Sequence, residues 1–222
     1  MHATEEHPPR VELFDYPVPD GIVVPNLMPY QLRAWNGDGY LAAEVLRLKE
    51  THGLTKALET GTCLGSTTAW LVGNFPFHVR SYEISPQYHA IAMERVPGAK
   101  VERPHPMVDL VLEDSRGLVM QDVDGMADRT FVFLDAHWNE HCPLLDELTA
   151  IAETKAKPCV IIHDFVVPGT DFGFDKMPDG RPFNLELIQP YLDRIYGEGK
   201  WKRNYPTQVE GAKRGWISIE PC

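Results

Sequence analysis

Short apolar runs alternate with segments of helical spacing along most of the chain. The runs end at polar or glycine-containing turns, which predicts strands at residues 56–59, 79–84, 108–112, 130–135, 159–163 and 216–219. The intervening periodicity predicts helices near residues 38–49, 66–72, 86–95, 115–123, 143–154 and 184–196. Such alternation is typical of an α/β protein in which crossover helices cover a mostly parallel sheet. Any ligand site should then lie at the carboxyl ends of the strands.

The first 35 residues follow a different pattern. They are rich in proline, which excludes long helices and predicts an extended arm over residues 1–35, ahead of a single domain at 36–222. This arm could lie passively on the domain, cover a substrate as a lid, or exchange between subunits. Homo-oligomerisation therefore stays open.

Charge and composition narrow the classes of partner. Acidic residues outnumber basic ones by 32 to 21, and the net charge of −11 opposes binding to nucleic acid or to anionic membranes. The basic residues between Lys200 and Arg214 are interpreted as a solvated face. The four cysteines lack zinc-site or disulfide spacing, and no apolar run reaches membrane-spanning length. We therefore expect a cytoplasmic protein.

A glycine-containing loop follows the first predicted strand. It reads Glu-Thr-Gly-Thr-Cys-Leu-Gly-Ser-Thr over residues 59–67 and leads into a helix, whose first N–H groups are free to bind a ligand. Gly61 and Gly65 permit a tight turn and the close approach of a ligand. A dinucleotide-binding loop would have a glycine at position 63, where this chain has Cys63.

This acid-x-Gly-x-x-x-Gly arrangement resembles the first motif of class I S-adenosylmethionine-dependent methyltransferases. The resemblance implies a three-layer Rossmann-like sandwich with a mostly parallel seven-stranded sheet, whose loop surrounds the methionine part of the cofactor. In that family an acid at the end of the next strand binds the ribose hydroxyls, and Glu83 matches it. The implied cofactor-binding residues are Glu59, Thr60, Gly61, Thr62, Gly65, Ser66, Glu83, Ile84, Asp114 and Ser115. Asp114 and Ser115 match the position that meets adenine, but they could equally cap a helix.

Two later strand ends carry the candidate catalytic residues. Asp135 and His137 follow the fourth predicted strand, and His163 and Asp164 follow the fifth. Methyl transfer to a hydroxyl requires in-line placement and removal of the hydroxyl proton, which a histidine can accept or a metal ion can assist. These four side chains could serve either purpose.

The same stretch is similar to metal-assisted small-molecule O-methyltransferases, including those that act on sugars and macrolide sugars. In those enzymes one acid after strand four and two after strand five hold magnesium, and Asp135 and Asp164 match two of the three. His163 stands where the remaining acid belongs. The implied metal ligands are Asp135, His163 and Asp164, a mixed set that suits manganese, iron or zinc better than magnesium.

The predicted activity is methyl transfer from S-adenosylmethionine to a small-molecule acceptor, most simply at a hydroxyl. A metal-dependent hydrolase or oxygenase that uses the Asp and His residues is the main alternative. A nicotinamide-dependent oxidoreductase is disfavoured by the missing middle glycine. A binding protein that keeps the fold without catalysis also stays open, because a fold does not determine a function.

Overall fold

The computed structural model of the chain describes residues 10–24, 27–100, 107–117, 129–137 and 141–222. Its strands are β1 (Lys56–Thr60), β2 (His78–Glu83), β3 (Met107–Leu112), β4 (Thr130–Leu134), β5 (Cys159–His163), β6 (Trp201–Asn204) and β7 (Trp216–Pro221). Its α-helices are α1 (Gly39–His52), α2 (Ser66–Asn74), α3 (Pro86–Arg95), α4 (Leu144–Glu153) and α5 (Leu185–Tyr196). Short 3-10 helices lie at Pro29–Leu32, Ala34–Gly37 and Ser115–Gly117.

The seven strands form one sheet in the order β3-β2-β1-β4-β5-β7-β6. Strands β1 to β5 pair in parallel, whereas β7 pairs antiparallel with both β5 and β6. The predicted seven-stranded α/β architecture is confirmed, but the sheet is mixed because β7 is reversed. The amino end of β7 therefore lies at the same edge as the carboxyl ends of the parallel strands.

Strand side chains alternate between two buried clusters. Phe131 and Phe133 of β4 pack with the cluster that includes α1 and α2, and their neighbours Val132 and Leu134 pack with α4 and α5. This period of two, with both faces apolar, is expected for a parallel sheet that helices cover on both sides. The layers are thus helix, sheet and helix, with the core on both faces of the sheet.

Most predicted elements are present with small shifts at their ends. Ile84 and Asp135, which the sequence pattern placed in strands, fall just after β2 and β4. The predicted helix at 115–123 is described only over its first turn, and its remainder lies outside the described residues. Strand β6 was not predicted, because its exposed Lys202 and Arg203 give no apolar run.

The proline-rich segment lies against the domain. The N–H of Tyr16 donates to the carbonyl of Leu32 at 2.6 Å, and the N–H of Val11 donates to that of Gly39 at 3.1 Å. Trp35, at the end of the predicted arm, is fully buried and packs edge-to-face against Phe133. In the part of the chain that is described, no helix is long and apolar enough to cross a membrane.

Candidate active site

The loop after β1 is shaped by close packing against protein. Gly61 and Gly65 have φ angles of +85° and +76°. A Cβ atom at Gly61 would lie 2.4 Å from the carbonyl oxygen of Asp135, and one at Gly65 would lie 2.8 Å from Cγ2 of Val96. The sequence interpretation gave the glycines two roles, a tight turn and the close approach of a ligand. In the structure, the residues that exclude a side chain at these positions are Asp135, just after β4, and Val96, just after α3.

Two of the predicted cofactor residues lie beneath the loop. Glu59 is buried, and its carboxyl accepts hydrogen bonds from the hydroxyls of Ser81, at 2.6 Å, and Thr68. Burial raises the pKa of Glu59 to about 8. Thr60 is also buried, and its carbonyl accepts the N–H of Asp135 at 3.2 Å. Glu59 thus connects β1 to β2 and α2, and Thr60 connects β1 to the residue that follows β4.

Thr62 and Ser66 connect the loop to its neighbours. The hydroxyls of Thr62 and Ser81 are 2.6 Å apart, and the hydroxyl of Ser66 donates to the carbonyl of Gln31 at 2.8 Å. Thr67 accepts the N–H of Trp35 at 2.8 Å. The start of α2 is therefore tied to the 3-10 helices of the proline-rich segment.

The carboxylate of Glu83 lies at the end of β2 with both oxygens engaged. Oε2 accepts the N–H of Cys63 at 2.7 Å, and Oε1 accepts the N–H of Ser85 at 2.8 Å. Burial raises the pKa of Glu83, and these N–H groups oppose that effect. Each oxygen keeps a further lone pair for a ligand hydroxyl. The neighbouring Ile84 lines the same cavity and is 53% exposed.

Asp114 and Ser115, predicted to meet adenine, have protein partners. Asp114 pairs with Arg116 at 2.5 Å and accepts its N–H at 3.1 Å, which is a capping arrangement. Ser115 lines the cavity, and its hydroxyl donates to Glu147 of α4 at 2.6 Å. Burial raises the pKa of Glu147 to about 7. Of the pair, Ser115 alone lines the cavity.

The four predicted catalytic residues converge at the ends of β4 and β5. Nε2 of His137 lies 2.8 Å from Oδ2 of Asp164 and 3.8 Å from Oδ1 of Asp135. Nδ1 of His163 lies 3.3 Å from Oδ1 of Asp135 and 3.5 Å from Oδ2 of Asp164. Although these two carboxylates are close, the buried Nδ1 of His163 has no hydrogen-bond partner among the described residues.

Two residues that the sequence interpretation did not place in the site complete this cluster. The guanidinium of Arg214, which precedes β7, pairs with Asp164 through Nε and with Asp175 through Nη2. Oδ2 of Asp175 lies 3.5 Å from Nε2 of His137. Arg214 had been assigned to a solvated basic face, and the reversal of β7, which brings it to this edge, could not be inferred from its local sequence.

Charge sets the ionisation of the cluster. Burial alone would lower the pKa of His163, but the carboxylates of Asp164 and Asp135 outweigh it and raise that pKa well above its ordinary value. Burial alone would raise the pKa of Asp164, but the imidazoles of His163 and His137 hold it well below its usual range. The pKa of His137 is raised by the same carboxylates against burial.

One cavity of about 690 Å³ joins the glycine loop, Glu83 and the Asp/His cluster. Its walls include residues from the 3-10 helices and α3 that the sequence interpretation did not single out. These are Tyr30, Gln31, Arg33, Asn36 and Tyr88. A volume of this size is that of a small-molecule site.

Solved structures of two O-methyltransferases are similar to this chain in fold. An O-methyltransferase from Bacillus cereus, solved with S-adenosylhomocysteine, is 18% identical over 92% of this chain and 84% of its own, with a TM-score of 0.55. TomG, an O-methyltransferase of tomaymycin synthesis from Streptomyces achromogenes, solved with S-adenosylmethionine, is 17% identical over 82% of this chain and 80% of its own, with a TM-score of 0.58. No protein-family model and no curated protein matches the sequence. The chain shares the fold of these two O-methyltransferases, and the predicted resemblance is confirmed for the fold.

Proposed function

We propose that this protein transfers a methyl group from S-adenosylmethionine to a hydroxyl of a small molecule. The observation that carries the proposal is the position of Glu83, whose carboxylate is held by two backbone N–H groups at one end of the cavity. The Asp/His cluster lies in the same cavity. A cofactor bound by its ribose at Glu83 would direct its methyl group towards that cluster.

The residues of the cluster would have different roles towards the acceptor hydroxyl. Asp135 lines the cavity and accepts the hydroxyl proton, and His137, whose Nε2 lies 3.8 Å from Oδ1 of Asp135, holds that carboxylate in place. Asp164 holds His137 through the 2.8 Å contact to Nε2. Orientation of the hydroxyl towards the sulfonium is the larger part of catalysis here, because the transfer needs an in-line approach.

A divalent cation fits the cluster beside this chemistry. Asp135, His163 and Asp164 offer one ligand atom each, and these atoms lie within 4.8 Å of one another. The unpartnered Nδ1 of His163 is a nitrogen ligand, so manganese or zinc suits the set better than magnesium. A cation held there would lower the pKa of the acceptor hydroxyl.

The comparisons and the charge of the chain also bear on the acceptor. Both solved relatives are named O-methyltransferases, and one is named for tomaymycin synthesis, which supports a small-molecule acceptor. The high negative charge of the chain favours such an acceptor over nucleic acid. Glu59, Thr62 and Gly61 would support the methionine part of the cofactor, with Ile84 and Ser115 beside its base.

Calorimetric titration with S-adenosylmethionine and S-adenosylhomocysteine tests the proposal. Each titration is run with chelator and then with added Mg²⁺ or Mn²⁺. Glu83→Ala should weaken binding at least tenfold, because it removes charge-assisted hydrogen bonds worth about 1.5–3 kcal/mol. The exposed Glu50→Ala on α1 is the matched control and should bind as the unaltered protein does.

Failure to bind either nucleoside under all of these conditions would contradict the proposal. Metal binding without nucleoside binding would favour a metal-dependent hydrolase or oxygenase. Nucleoside binding with no turnover on any acceptor would favour a binding protein.

A further inference from the structure

Arg214 is held firmly at the edge of the Asp/His cluster. Its aliphatic part lies against Gly173, where an added Cβ would come within 2.8 Å of Cδ of Arg214. The backbone on either side is fixed, since the N–H of Gly173 donates to Lys213 and that of Gly215 donates back to Gly173. The guanidinium therefore has little freedom to leave its two carboxylates.

The cluster contains two groups that could each hold a cation, and they share one carboxylate. Asp135, His163 and Asp164 form the first group, and the second consists of His137, Asp164 and Asp175. In each group the ligand atoms lie within 4.8 Å of one another. Two groups bridged by a common carboxylate are the arrangement of a two-metal centre.

Arg214 pairs with two members of the second group, Asp164 and Asp175, and with the first group only through the shared Asp164. Its Nε and Nη2 atoms meet Oδ1 of Asp164 and Oδ1 of Asp175, which leaves Oδ2 of Asp164 facing both histidines. The first group keeps the buried Nδ1 of His163 without a hydrogen-bond partner among the described residues. The second group is thus paired with the fixed guanidinium of Arg214, and the first group has a ligand atom without a partner, Nδ1 of His163.

The net charge of the cluster also favours a metal ion in the first group over one in the second. The cluster holds three carboxylates, of Asp135, Asp164 and Asp175, and one guanidinium, which leaves two negative charges before the histidines are counted. A single divalent cation in the first group balances them. A second divalent cation would have to lie beside the guanidinium, at a distance where like charges repel by several kcal/mol in a partly buried site.

We propose that Arg214 takes the place of a second divalent cation at His137, Asp164 and Asp175, and so restricts the cluster to one metal ion. This inference rests on the cluster that the proposed function uses. Two-metal centres stabilise both the attacking and the leaving oxygen of a hydrolytic displacement. Methyl transfer needs only one oriented and activated hydroxyl, so a fixed guanidinium keeps the cluster suited to transfer.

The test is a count of Mn²⁺ ions per chain. Unaltered protein, Arg214→Met and Arg214→Lys are titrated with Mn²⁺ by calorimetry, and bound manganese is measured after gel filtration. Arg214→Met should bind one more ion per chain than the unaltered protein. Arg214→Lys, which keeps a positive charge near both carboxylates, should show no gain. The gain should vanish when Asp175→Asn is added to Arg214→Met.

Electron paramagnetic resonance gives an independent reading. Two Mn²⁺ ions that share Asp164 would lie about 3.5–4 Å apart and give a coupled spectrum, which one ion cannot produce. Circular dichroism first establishes that each variant is folded. If Arg214→Met does not fold, Arg214→Gln carries the same test, because glutamine keeps polar contacts without the charge.

An unchanged or smaller count in Arg214→Met or Arg214→Gln would overturn the inference, as would an equal gain in Arg214→Lys. These outcomes differ from failure of the proposed function, which the nucleoside titrations decide without reference to Arg214. The unaltered protein should bind one Mn²⁺ ion per chain, and a count of none or two there would also overturn the inference.

Discussion

Replacement of Gly61 by alanine should destabilise the protein through two separable effects. The first is conformational, because alanine at a φ of +85° costs about 1–2 kcal/mol. The second is steric, since the new Cβ would lie 2.4 Å from the carbonyl oxygen and 2.8 Å from the carbonyl carbon of Asp135. Backbone atoms cannot rotate away, so overpacking should add about 1–3 kcal/mol. The expected total is about 2–5 kcal/mol.

Gly180→Ala separates the two effects. Gly180 has nearly the same φ, +88°, but no described atom lies within 4 Å of its added Cβ, so only the conformational cost of about 1–2 kcal/mol applies. Urea unfolding of both variants, followed by circular dichroism, gives the two free energies. If Gly61→Ala costs no more than Gly180→Ala, the contact between the loop and β4 does not constrain the fold as described.

Three further predictions concern buried or half-buried polar groups. In the ligand-free protein, Glu59→Gln should remove a pH dependence of the free energy of unfolding. The pKa of Glu59 is about 8 in the folded protein, so Glu59 keeps a proton that the unfolded chain releases above about pH 4.5. Its contribution to stability therefore falls by up to about 1.4 kcal/mol for each pH unit between those values. Glu147→Leu should cost about 1–3 kcal/mol in urea unfolding, because it leaves Ser115 without its acceptor, while Glu147→Gln should cost less. Arg95→Met should speed amide hydrogen exchange of Tyr16 about tenfold, since Arg95 joins the carbonyls of Tyr16 and Leu64.

Each of these has an outcome that would contradict it. Equal pH dependence of unfolding in Glu59→Gln and the unaltered protein between pH 5 and 8 would show that Glu59 is ionised when folded. If the leucine and glutamine variants of Glu147 lose the same free energy of unfolding, the hydrogen bond that Glu147 accepts from Ser115 does not contribute to stability. Unchanged exchange at Tyr16 in Arg95→Met would show that the segment is held by other contacts, such as the ion pair of Asp15 and Arg33.

Local sequence was sufficient for the parallel half of the sheet. Strands β1, β4 and β5 are buried on both faces. Strands β4 and β5 therefore consist largely of apolar residues, and Cys159–His163 was predicted with its observed bounds. Strand β6 lies at the sheet edge with exposed lysine and arginine, so it has no apolar run to detect. Apolar runs indicate strands that are buried against their neighbours, and β6 is not buried in this way.

The candidate site was predictable where it depends on strand ends. Glu83, Asp135, His137, His163 and Asp164 all follow or end parallel strands, and the geometry of such a sheet brings them to one edge. Asp175 and Arg214 reach that edge through a long loop and a reversed strand. Their positions depend on pairings distant in sequence, which no local pattern records.

The reversal of β7 also bears on how the chain folds. The contact of Arg214 with Asp164 joins residues 50 positions apart, and it forms only when β7 has paired with β5. Pairings of long sequence separation tend to form late. A partly folded chain with β1 to β5 already aligned would expose three carboxylates and two imidazoles without their guanidinium. Such an intermediate would bind transition-metal ions. Free manganese or zinc during refolding should therefore stabilise it and slow the pairing of β7 with β5.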